Sequence, residues 1–165
     1  MAVPRSLAEI DWTRWSGLVC TLVFVVRRGE ILLMRKQRGL GAGKINAPGG
    51  KLDADESPLA GAIRETREEV CAVPRGLGWA GRNRFQFADG SAIDVHVFRA
   101  SALEGEPAPT PEADPFWCPI EKIPYAEMWE DDALWLPHLL AGRRFSGRFL
   151  FDGDRMLDWA IELPD

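Results

Sequence analysis

The chain has 165 residues, 46% of them hydrophobic and 27% charged, which suits one globular domain with a real core. A net charge of −5 argues against a broad nucleic-acid surface, which needs clustered Lys and Arg, but leaves room for a phosphorylated small molecule beside a bound cation. Cys20, Cys71 and Cys118 are too scattered for a zinc site or a disulfide framework, no apolar run reaches the roughly 18 residues of a membrane span, and residues 1–17 lack a signal-peptide core, so a cytoplasmic protein without a membrane partner is expected.

Residues 1–17 mix Arg5, Glu9, Asp11 and Arg14 with Trp12 and Trp15, and read as an N-terminal extension. It is either a tail or a segment that packs its tryptophans on the domain, which occupies residues 18–165. Residues 18–26 form a continuous β-branched apolar run, expected as a buried strand. Arg27-Arg28-Gly29 turns the chain into a second strand at 30–34. Residues 35–44 are basic and glycine-rich, with Arg35, Lys36, Arg38 and Lys44 among Gly39, Gly41 and Gly43. Such a loop either lies solvated on the surface or approaches phosphates closely.

Ser57 is a good N-cap and Pro58 suits a first helical position, so a helix should follow and end at 70–72, ahead of Pro74. Glu65, Glu68 and Glu69 then share one face at i, i+3 and i+4. Three carboxylates at that spacing repel unless they face water or hold a cation. Behind the turn Asn46-Ala47-Pro48-Gly49-Gly50 they suggest a Mg²⁺ platform for phosphate chemistry.

Residues 77–87 and 92–100 read as strands joined around Asp89-Gly90. Residues 101–114 read as a Pro/Glu-rich loop and 115–120 as a short strand. A second helix is expected at 131–141, with a late start or a kink at Pro137. Residues 144–151 and 156–161 flank Asp152-Gly153-Asp154 as a terminal hairpin. Mixed strands with two helices indicate one α/β or α+β layered domain.

Gly50, Glu56, Arg64, Glu65, Glu68 and Glu69 fall at the spacing of the Nudix box, and the block resembles it, with Thr66 and Cys71 replacing its usual aliphatic residue and closing glycine. The resemblance continues through residues 38–44, Asn46, 94–98 and 123–132 to Trp135, Pro137, Leu139 and Leu140. It points to the branch that hydrolyses 8-oxo-dGTP and other oxidised purine nucleoside triphosphates.

This resemblance implies an α/β/α sandwich on a mixed sheet. It also implies hydrolysis dependent on Mg²⁺ (Mn²⁺ as a substitute) of a small-molecule triphosphate to the monophosphate and pyrophosphate, by a monomer with no nucleic-acid partner. It makes Glu65, Glu68 and Glu69 catalytic metal ligands, joined by the Gly49 carbonyl and by Glu112. One nearby glutamate is the general base; Glu65, Glu69 and Glu112 stay open for that role. Glu56 and Arg64 become a structural ion pair.

For substrate the resemblance implicates Thr21, Lys36, Asn46, Pro48, Gly49, Gly50, Lys51, Phe85, Trp129, Glu130, Asp131 and Asp132, with Leu40 and Phe87 as further wall candidates. Adjacent carboxylates in a partly buried pocket titrate as a pair, so one can donate while the other accepts. That would match the altered edge of an oxidised purine, with Trp129 stacked on the ring. Asp131 could instead cap the following helix, and Trp129 could simply fill the core. A Nudix enzyme for dinucleoside polyphosphates or nucleotide sugars, and a catalytically dead nucleotide-binding module, are the competing readings. His96 and His138 are expected to be structural.

Overall fold

The computed structural model describes residues 2–164. It contains eleven strands and two α-helices: β1 (Leu18–Arg27), β2 (Glu30–Lys36), β3 (Ile45–Asn46), β4 (Gly49–Lys51), α1 (Pro58–Val70), β5 (Val73–Arg75), β6 (Gly78–Phe87), β7 (Ala92–Ala100), β8 (Ala102–Glu104), β9 (Ala113–Pro119), α2 (Asp132–Leu140), β10 (Phe145–Asp152) and β11 (Arg155–Glu162). Nine strands form one mixed sheet in the order β11-β10-β6-β7-β1-β2-β3, with β4 also paired to β1 and β9 to β2. The β1–β7 and β6–β10 pairs are parallel.

Strand β1 explains why its sequence does not alternate. Phe24 and Val26 enter the core that includes Trp135, Leu136 and Leu139 of α2. Val23 and Val25 enter the opposite core, which includes Ala62 and Val70 of α1. A strand covered by a helix on each face reads as a continuous apolar run. The outcome is a layered α/β/α arrangement.

Helix α1 starts as expected: the Ser57 hydroxyl accepts from the Ala60 N–H at 3.2 Å, with Pro58 at the first position. Its end accommodates both departures from the box. Thr66 is buried and donates to the Ala62 carbonyl at 2.7 Å. Cys71 takes the left-handed conformation, φ 62°, that glycine would adopt more cheaply.

Two expectations are corrected. The segment 101–114 is not all loop, because Ala102–Glu104 pairs antiparallel with Val73–Arg75. Of the late start or kink expected for the second helix, the late start is excluded, because Pro137 lies inside α2, whose helical residues run from Asp132 to Leu140. The N-terminal segment packs on the domain. Leu7 N–H donates to Asp158 at 2.8 Å, and the Trp15 indole donates to Gln86 at 2.9 Å.

Candidate active site

Strand β4 brings the glycine turn against β1, with Thr21 opposite Gly50 and Leu22 opposite Gly49. A Cβ on Gly50 would stand 2.6 Å from the Glu65 carboxylate, so only glycine lets the turn and α1 approach this closely. Arg64 organises the acidic face. It donates to Glu56 from Nε at 2.7 Å and Nη2 at 2.8 Å, and to the Lys51 carbonyl at 3.0 Å. Its Nη1 reaches Glu65 at 2.9 Å and Glu68 at 3.1 Å. These charge-assisted bonds hold the Glu56 carboxyl down at about 2.

Glu69 is buried, and burial followed by the charge of Glu65 pushes its carboxyl up to about 8. Its Oε2 has no hydrogen-bond partner. Burial also raises Glu65. Among the described residues no three His, Cys, Asp or Glu side chains are gathered tightly enough to enclose an ion. Yet Glu65 and Glu68 already converge on one cation, the Arg64 guanidinium. The orphaned oxygen of Glu69 and the all-carboxylate donor set fit a hard divalent ion. Glu112 approaches from the β8–β9 connection, where its charge contributes to raising Glu69. Its side chain pairs with Arg38 at 2.9 Å, and its carbonyl accepts from the Gln37 N–H at 2.8 Å.

Beside this face opens a cavity of about 280 Å³. Thr21, Lys36, Asn46, Gly49, Gly50 and Lys51 line it, and Leu40 of the glycine loop also borders it. Phe85, Phe87, Trp129, Asp131 and Asp132 line it as well. The loop passes so close to Trp129 that a Cβ on Gly41 (φ 80°) would lie 2.8 Å from the indole Nε1. Lys44 Nζ sits 5.2 Å from the ring centroid, and Phe151 meets the ring edge-on at 5.6 Å.

Asp131 and Asp132 are 3% and 2% exposed, so water does little to solvate their charges. Burial raises Asp131 to about 6, against a hydrogen bond from Trp135 that pulls it down. Burial and then the neighbouring Asp131 raise Asp132 well above the usual carboxylate range. Asp131 makes no side-chain cap to α2. Thr21 Oγ1 and Asp132 Oδ2 are buried without partners, while Asn46 Oδ1 accepts from the Ala47 N–H at 2.8 Å.

Two expected substrate residues do not line the cavity. The Pro48 carbonyl accepts from the Val23 N–H at 2.8 Å, which fastens this residue into β1. Glu130 turns toward the terminal hairpin and accepts from the Met156 N–H at 3.0 Å. Conversely, Cys20, Ile93 and Val95 line the cavity without having been anticipated. Ile93 could have been found, because it stands directly opposite Phe85 across the β6–β7 hairpin. Nothing in the composition around Cys20 singles it out.

The NUDIX domain family model matches residues 18–139. The chain belongs to the Nudix family. It is similar to two proteins called oxidized purine nucleoside triphosphate hydrolase. The zebrafish (Danio rerio) protein is 46% identical over 84% of this chain and 90% of its own length. The mouse (Mus musculus) protein is 37% identical over 88% and 94%. Among solved structures, a mutator MutT protein from Bacillus halodurans superposes with a TM-score of 0.79 at 28% identity, covering 88% of this chain and 97% of that one. The Nudix fold thus places the acidic face of α1 next to an aromatic, carboxylate-floored cavity in a hydrolase whose substrates are small nucleotides.

Proposed function

We propose that this Nudix hydrolase converts oxidised purine nucleoside triphosphates, of the 8-oxo-dGTP and 2-hydroxy-dATP type, to the monophosphate and pyrophosphate, and so clears them from the nucleotide pool. The observation that carries this is the floor of the cavity: two adjacent buried carboxylates with raised pKa values beside Trp129. Such a pair presents one donor and one acceptor near neutral pH. Oxidation at C8 turns the N7 acceptor of a purine into an N–H donor, so an ionised carboxylate and a protonated neighbour together suit the altered edge.

Glu65, Glu68 and Glu69 would hold a divalent ion, Mg²⁺ or Mn²⁺, with the Gly49 carbonyl and Glu112 as further donors. Bound there, it would supply charge neutralisation on the phosphate oxygens and a more acidic water. Lys36, Lys51 and the glycine turn, which line the cavity, would take the phosphates, and the charge of Lys36 is felt at Glu69. Asn46, Asp131 and Asp132 orient the base, and Trp129 stacks on it. Water adds to phosphorus, its proton passes to a carboxylate of this set, and the bridge oxygen leaves with the pyrophosphate. Arg64, locked to Glu56, holds Glu65 and Glu68 in place. The segment from Leu7 to Trp15 braces the sheet from outside, and the unit acts as a monomer.

Incubation of 8-oxo-dGTP with the protein and Mg²⁺, with products separated by anion exchange, tests this reading. Monophosphate and pyrophosphate should appear in equal amounts, and Glu68→Gln should lower kcat by roughly 10²-fold or more. Faster cleavage of ADP-ribose or of a dinucleoside polyphosphate than of any oxidised purine triphosphate would refute it.

A further inference from the structure

Strand β6 alternates between two functions. Phe85 and Phe87 face the nucleotide cavity, while Arg82, Arg84 and Gln86 face the other side of the sheet. Arg84 stands in register with Asp94 on β7 and with Arg148 on β10. The carboxylates nearby are already engaged. Asp94 accepts from both Nε and Nη2 of Arg82, and Glu162 accepts from Arg148 at 3.0 Å. Among the described residues Arg84 makes neither an ion pair nor a side-chain hydrogen bond, and its Nε is buried without a partner.

This is an unfavourable place for a cation. Burial, then Arg82 and Arg148, push the Arg84 pKa down, against the charges of Asp94 and Glu162, which oppose the shift without reversing it. A guanidinium does not shed its proton in a protein, so relief comes from a counter-anion. The N-terminal segment lies over the same face. Trp12 and Trp15 sit with ring centroids 5.4 Å apart; the Arg148 guanidinium lies 5.6 Å from the Trp12 ring, and Trp15 is fastened to Gln86. Arg84 is thus flanked by a second guanidinium on β10 and, two residues along its own strand, by the residue that anchors the indole pair.

We propose that Arg84, with Arg148 beside it and Trp12 and Trp15 as a wall, forms a second site on the outer sheet face that binds a phosphate-bearing small anion. The site is separate from the hydrolytic cavity, which opens on the opposite face. Planar guanidinium forks on adjacent strands suit a multivalent oxyanion better than a single carboxylate. The anion is either free pyrophosphate, which the reaction releases, or the phosphate of a nucleotide whose base meets the indoles.

Titration calorimetry of the full chain in chelator, without divalent metal, tests the site. Inorganic pyrophosphate should bind once per chain and raise Tm. Arg84→Gln should weaken binding by roughly tenfold or more and abolish that rise, with the metal-supported rate of 8-oxo-dGTP hydrolysis unchanged. Should the glutamine variant fail to fold, Arg84→Lys keeps the charge but loses the fork, and must still weaken binding several-fold. Deoxyguanosine monophosphate is the second titrant: affinity above that of pyrophosphate, lost in Trp12→Leu, assigns the site to a nucleotide, and weaker affinity assigns it to the free anion. No pyrophosphate binding to the wild type, or equal affinity in the Arg84 variants, overturns the proposal.

Discussion

The indole Nε1 of Trp135 donates to Oδ2 of Asp131 at 2.7 Å, both groups being buried, with Asp131 immediately before α2 and Trp135 in its first turn. The helix therefore orients its own carboxylate at the floor of the cavity. That bond favours the charged form of Asp131. Trp135→Phe removes it while keeping most of the packing. Asp131 should then titrate above about 6, and kcat/KM for 8-oxo-dGTP should fall roughly tenfold at neutral pH, chiefly through KM. Steady-state kinetics between pH 5 and 9 checks both.

The same pair links stability to pH. In the unfolded chain an aspartate titrates near 3.8, whereas burial raises folded Asp131 to about 6 and raises folded Asp132 well above that ordinary value. The folded state therefore binds protons more tightly. The stabilising contribution is full below the unfolded value and is lost as pH rises through the folded values. Comparing the wild type with Asp131→Asn/Asp132→Asn isolates this effect. From pH 5 to pH 8 the wild type should lose Tm relative to the double variant, on the order of a few degrees.

Metal loading should release protons. Glu69 titrates near 8, so at pH 7 it is largely protonated, and a divalent ion needs the carboxylate. Calorimetry of Mg²⁺ binding at pH 7 in buffers of different ionisation enthalpy should show net proton release, falling toward zero by pH 9. Glu69→Gln should remove most of that release.

Gly50 sets the distance between the turn and α1. Gly50→Ala places a methyl where the Glu65 carboxylate now lies. The side chain has to move, while the rest of α1 stays anchored by Ser57 and by the Arg64–Glu56 pair. A drop in kcat of roughly 10²-fold with little change in Tm is expected, read from kinetics and a thermal melt together.

Much of this was legible from the chain. The β1 run showed itself because burial on both faces removes alternation. Ser57-Pro58 marked the start of α1 because capping chemistry is local, and the three glutamates shared a face because helical spacing fixes it. What escaped depends on tertiary partners. Residues 102–104 form a strand only because 73–75 lies alongside, and three residues carry no periodicity of their own. Pro137 does not end α2: five helical residues precede it, and it forgoes one bond, to the Ala133 carbonyl. Glu130 is drawn away from the cavity by a backbone N–H on β11, a partner far off in sequence. Cys20 lines the cavity through the placement of β1 against β4, which no local signal encodes.

The measurement that bears most directly on base recognition is the ratio of kcat/KM for 8-oxo-dGTP to that for dGTP, in the wild type and in Asp132→Asn. If the buried carboxylate pair reads the oxidised edge, the ratio should be well above one in the wild type and should shrink by roughly tenfold or more in the variant, with pyrophosphate still released. A ratio that stays the same in Asp132→Asn, or a wild type that turns over dGTP as readily as 8-oxo-dGTP, would contradict it.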